Sequence, residues 1–143
     1  MCGNAGRILG LDYGMRRVGL AITDPSRSMV FPRPVLLNTG EKGLFEALKV
    51  FCEKEGIVLI VIGYPYDDAH VENAQTQKMK DFGTKLSAFL SIPVEYEDEK
   101  YTTTEAEALL DSSGYDYKEK KLHRDGIAAM IILQSYISRL EKI

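Results

Sequence analysis

Apolar positions divide this chain into a β-rich opening and an alternating helix–strand remainder. Residues 8–23, ILGLDYGMRRVGLAIT, read as two strands joined by a tight turn. Ile8, Leu9 and Leu11 form the short apolar run of a buried central strand, and residues 18–23 repeat it. Asp24-Pro25-Ser26 makes a turn. Residues 28–38 are extended, but Pro32 and Pro34 cannot donate to a ladder, which predicts an edge strand and an antiparallel meander. Leu44, Ala47, Leu48 and Phe51 then recur at helical spacing, and Gly56 supplies the stop. Residues 57–62, IVLIVI, predict a central parallel strand buried on both faces. Val71, Ala74, Gln75, Met79, Phe82, Leu86 and Phe89 mark an amphipathic helix, and residues 94–97 a short strand. Thr104 with Glu107 fits a capping box opening a helix to about Ser113, with Gly114 as its stop. Residues 115–124, YDYKEKKLHR, read as a basic connector. The last helix carries Ile127, Ala128, Met130, Ile131, Leu133, Tyr136 and Ile137.

The order β-β-β-α-β-α-β-α-α describes a meander running into βαβ crossovers, an α/β fold. With 143 residues, one domain spanning 1–143 is expected. At 45% hydrophobic and 27% charged residues, composition is that of a globular chain. No apolar run approaches the ~20 residues of a membrane span, and the first residues lack the apolar core of a signal peptide, so a cytoplasmic location and no membrane partner are expected. Cys2 and Cys52 lack the neighbours of a zinc site, and Cys52 reads as a small core residue. A net charge of -3 argues against a cationic face spread over the whole molecule, leaving local basic patches as the route to nucleic acid.

Three acids stand out by position. Asp12 ends the first strand beside Gly14, which allows a close reversal. Glu99 directly follows the last strand. Asp125 opens the last helix beside Gly126, which lets that helix approach closely. If the first strand neighbours the 57–62 strand, the ligand crevice lies at their carboxyl ends, where Asp12 sits. Carboxylates gathered there repel one another unless a cation neutralises them. An all-oxygen donor set selects Mg²⁺ or Mn²⁺. Two such ions ~4 Å apart support phosphodiester hydrolysis. Each acid also has an ordinary reading. Asp12 fits a solvated hairpin turn, Asp125 a helix N-terminal charge, and Glu99 a loop acid among Glu95, Glu97 and Asp98. Tyr64 and Tyr66 fit either base stacking or packing on the sheet edge.

The stretches GLDYGMRRVGLAITD, IGYP, EDEKYTTTEAE and HRDGIAAMIILQSYI together resemble the YqgF (RuvX) family, over essentially the whole chain and in the same order. The resemblance implies an RNase H-like fold related to RuvC-type Holliday junction resolvases. Its five-stranded mixed sheet has order 3-2-1-4-5, strand 2 antiparallel, and helices on both faces. It implies a nuclease that matures the end of pre-16S ribosomal RNA. Residue by residue, it assigns catalysis and metal binding to Asp12, Glu99 and Asp125, with Arg17 and Thr103 matching further motif positions. Arg16, Arg17, Lys100, Lys118, Lys120, Lys121, His123 and Arg124 are the candidate backbone contacts. Gly14, Thr103 and Gly126 are candidate supports. Resolvases of this fold work as pairs, but no apolar patch for a homodimer can be read in the sequence, which leaves the oligomeric state open. The chain departs from the family in two places: Lys100 stands where an arginine is usual, losing the bidentate fork, and residues 66–73 form an acidic loop.

Two other readings compete. A sugar-kinase or actin-type phosphotransferase shares this fold, but requires a second such domain and a second D-x-G. A non-catalytic RNA-binding assembly or transcription factor fits the acidic balance; it would hold RNA without metal and leave it intact.

Overall fold

The computed structural model describes residues 6–64, 74–98 and 117–141, with the side chains of 64, 75, 98, 117–125 and 141 excepted. Strands β1 (Arg7–Asp12), β2 (Arg17–Thr23) and β3 (Val30–Leu37) are followed by α1 (Glu41–Glu55), β4 (Ile57–Tyr64), α2 (Ala74–Leu90), β5 (Val94–Asp98) and α3 (Tyr117–Glu141). All five strands form one sheet, ordered β3-β2-β1-β4-β5. β1 pairs antiparallel with β2 and parallel with β4; β2 pairs antiparallel with β3, and β4 parallel with β5. The meander, the β3 edge and the central parallel β4 follow the sequence pattern.

Two apolar layers hold the sheet. Leu9, Leu11, Val18, Leu20, Ile60 and Ile62 face Leu44, Leu48, Met79, Phe82 and Leu86 of α1 and α2. On the other face, Ile8, Ala21 and Val61 meet Ala129, Ile132, Leu133, Tyr136 and Ile137 of α3. Ala129 and Ile132, absent from the stripe expected for this helix, are completely buried. Phe89, expected on the buried stripe of α2, is 45% exposed, edged by Phe45 at 5.6 Å with the Lys49 ammonium 5.8 Å from its ring. Gly56 ends α1 in the left-handed conformation with φ 69°, the conformation a glycine adopts at least cost.

The basic run read as a connector is helical from Tyr117 onward. Lys and Glu are good helix formers, but the run has no apolar stripe to announce it. The helix expected over 104–113 lies outside the described residues.

Gly10 sets the depth at which α3 sits. A methyl group there would stand 2.8 Å from the Ala129 carbonyl oxygen and 2.9 Å from Leu133 Cβ. Gly10→Ala is therefore expected to push α3 off β1, at a cost of about 1–3 kcal/mol. A urea midpoint equal to that of the parent protein would show that the helix yields freely.

The β2–β3 turn is organised by Asp24, whose Oδ1 accepts from the backbone N–H groups of Ser28 and Met29, both at 2.9 Å. The Ser26 hydroxyl donates to Oδ2. The Ser26 hydroxyl first, and then the Met29 amide, hold this carboxyl down from 3.8 to about 2, so the ionised form is favoured in the folded chain. Its contribution to stability is present above pH 3.8 and is lost as the pH falls towards 2. The stability difference between the parent and Asp24→Asn, followed by urea titration, should shrink across that interval.

Candidate active site

Asp12 is the last residue of β1, half-buried. Alternation along β1 puts it on the same face as Gly10, the face covered by α3. β1 is central and its backbone is used by β2 and β4, so its carboxyl end is rigid. Continuing the pairing of Leu11 with Ile62 by one residue sets Asp12 beside Gly63, and Gly63 pairs with Glu97. Asp12, Gly63 and Glu97 thus form one row across the carboxyl ends of three parallel strands. The middle position has no side chain, which leaves space in the row.

The α3 helix touches every strand of the sheet. The helix begins at Tyr117, so Asp125 is more than two turns inside it and is not the helix N-terminal charge its position suggested. In the third turn, a methyl group at Gly126 would lie 3.0 Å from Pro32 Cβ, 3.2 Å from the Arg33 carbonyl oxygen and 3.5 Å from that of Leu20. Leu20 is the cross-strand partner of Leu11, so this contact brings the backbone at Asp125 to the Asp12 end of the sheet. The Asp125 side chain, like those of Lys118, Lys120, Lys121, His123 and Arg124, is outside the described set. These cations belong to the first turns of a helix and not to an irregular segment. Glu99, Lys100, Thr103 and the acidic loop 66–73 lie outside the described residues. Among the described residues, no three His, Cys, Asp or Glu side chains gather where they could hold a metal ion.

Glu97 is an acid that spacing alone could not separate from Glu99. It is 7% exposed, and its oxygens are taken. Arg139 Nε and Nη2 donate to Oε1 at 3.0 and 2.8 Å, and the Ser135 hydroxyl donates to Oε2 at 2.9 Å. Arg139 also lies 5.2 Å from the Tyr136 ring centre. The hydrogen bond to Glu97 lifts the Arg139 pKa, and burial, with Glu95 next, lifts that of Tyr136. A carboxylate so engaged fastens β5 to α3. The sequence signal was Ser135 and Arg139 one helical turn apart.

The turn after Asp12 carries Arg16 and Arg17, both exposed. Gly14 is required there, since a Cβ would collide with the Arg17 carbonyl oxygen. A cavity of about 300 Å³ opens at the opposite end of the sheet, lined by Lys49, Cys52, Glu53, Ile57, Leu90 and Ile92 among others. Burial pushes the Cys52 thiol up to about 12, so at neutral pH it is a buried apolar group and not a nucleophile.

The RuvX family, described as Holliday junction resolvase, matches residues 6–139. The chain belongs to the RuvX family. A RuvX-type relative from Dictyoglomus thermophilum, named "Putative pre-16S rRNA nuclease", is 37% identical over 131 residues, covering 92% of this chain and 94% of that one. A protein of the same name from Maridesulfovibrio salexigens is 32% identical over 133 residues, 93% of this chain and 98% of that one. Among solved structures, Thermus thermophilus RuvC in complex with a Holliday junction substrate superposes with TM-score 0.60 at 10% identity, over 94% of this chain and 96% of that one. The fowlpox virus resolvase bound to Holliday junction DNA gives 0.59 at 14% identity, over 94% and 98%. At these identities the likeness concerns the fold, which is RNase H-like with the expected strand order. Among the described residues, no helix is long and apolar enough to cross a membrane.

Proposed function

We propose that this RuvX-family protein is a metal-dependent nuclease that hydrolyses phosphodiester bonds in structured nucleic acid, with precursor 16S rRNA as its substrate. The observation that carries the reading is Asp12: an acid ending a central strand, facing the covering helix, with the backbone of Asp125 brought to the same end through Gly126. The relatives' names favour RNA, and the family's description favours branched DNA, which makes a junction the second substrate to try.

Asp12, Glu99 and Asp125 are the residues that would hold Mg²⁺ or Mn²⁺. Their chemistry fits: all three offer the hard oxygen donors that Mg²⁺ and Mn²⁺ take. When bound, the ions would activate water and stabilise the leaving oxygen. The protein's own part is to keep its acids ionised and close, and to hold the phosphate backbone. Arg16 and Arg17 on the turn, with Lys100 and the basic first turns of α3, supply the cations for that grip. Glu97 stays out of the metal set because Arg139 and Ser135 occupy its oxygens.

The test is cleavage of a precursor rRNA fragment and of a four-way DNA junction, with Mg²⁺, with Mn²⁺ and with EDTA. Cleavage is expected with either metal and none with EDTA. RNA held equally well with and without metal, and left intact, would replace the nuclease by a binding factor.

A further inference from the structure

The β1–β2 turn is held by two hydrogen bonds from Asn38. Gly14 O accepts from Asn38 Nδ2 at 2.9 Å, and Arg16 O accepts from the Asn38 backbone N–H at 2.8 Å. Asn38 Oδ1 in turn accepts from the Gly40 N–H at 3.2 Å, tying the asparagine to the entry of α1. A Cβ at Gly14 would collide with the Arg17 carbonyl oxygen, so the turn is constrained by this close approach as well as by the Asn38 bonds. At its tip Met15 is 90% exposed, more than any other large apolar side chain among the described residues. Leu37, 68% exposed, is the cross-strand partner of Arg17 and shares its face. Two exposed apolar side chains therefore accompany Arg16 and Arg17, and Met15 stands three residues along the chain from Asp12.

A single exposed methionine is ordinary. One presented on a doubly anchored tip, beside two arginines and the end of β1, has a use. Cations reach phosphates on any nucleic acid, but an apolar tip contributes only where a base face is open to it. A continuous duplex exposes such a face only after a base step has been unstacked; a helix end, a bulge or a branch point offers it without that cost.

We propose that Met15 is an apolar wedge that rests against an unstacked base next to the phosphate held by Arg16 and Arg17. The substrate class is then RNA or DNA broken by a helix end or branch, in preference to continuous duplex. The inference rests on the nucleic-acid reading above, but not on hydrolysis.

The experiment places 2-aminopurine as the first unpaired base of an RNA hairpin with a single-stranded flank, and at the branch of a four-way DNA junction. Continuous duplexes carrying the same base serve as reference, and binding is read in EDTA. The full chain should change the fluorescence of at least one broken substrate and bind it about tenfold more tightly than the matching duplex. Met15→Ala should lose both effects at an unchanged melting temperature, and Met15→Leu should keep both. Arg16→Ala should weaken all substrates alike. A response in the RNA arm, the DNA arm or both identifies the source of the open base. A parent protein that does not distinguish broken from continuous substrates, or a Met15→Ala variant that behaves like the parent, overturns the wedge. Met15-dependent binding with no cleavage after metal is added would remove the nuclease reading and leave the wedge standing.

Discussion

Asp12→Asn is expected to lower Mg²⁺- or Mn²⁺-dependent cleavage by on the order of 10³-fold, the several kcal/mol that charge stabilisation by a properly held ion supplies. The substitution keeps size and polarity but removes the charge that attracts the ion. Among the described residues, the next acid in the same row, Glu97, is two strands away with its oxygens engaged by Arg139 and Ser135, so it is not expected to take over. The melting temperature should hold or rise, the outcome expected of neutralising one of the acids proposed to share the ion. Cleavage rates for the parent and variant, measured beside thermal melts, check both halves. Undiminished cleavage would remove Asp12 from the mechanism.

The second large effect is on stability. Arg139→Met should cost about 3 kcal/mol, since it leaves the Glu97 carboxylate buried with one hydroxyl partner. The Arg139 side chain is itself 54% exposed, so its own desolvation is modest and most of the loss comes from the stranded acid. Adding Glu97→Leu to that variant should recover most of the loss, because an apolar pair of similar volume needs no counter-charge. Urea unfolding of the two variants decides the matter. Equal losses in both would mean that packing, not the ion pair, fastens β5 to α3.

Much of the fold could be read from the residues because the local signals agree. The 57–62 run is apolar enough for a central strand, although Val58 is 42% exposed, and Pro32 and Pro34 mark β3 as an edge; the full order of the sheet came with the family resemblance. The start of α3 was missed because helix formation there is carried by Lys and Glu without a buried stripe. Phe89 was misassigned because an aromatic at helical spacing looks buried whether or not a partner helix reaches it. At the site, Asp12 was visible as a charge inside an apolar run. The choice among Glu95, Glu97 and Glu99 was invisible to spacing. It depends on which acids find partners on α3, a contact across 42 residues of chain in the case of Arg139.

The edge strand has a bearing on how copies of this chain can meet. A proline accepted in a ladder turns its nitrogen towards the open side, so β3 lacks main-chain donors at residues 32 and 34 along its outer rim. Two molecules cannot zip their sheets together along that border. Any sheet-to-sheet pairing between copies would have to use the opposite border, β5, while the β3 rim remains as insurance against fibrous self-association.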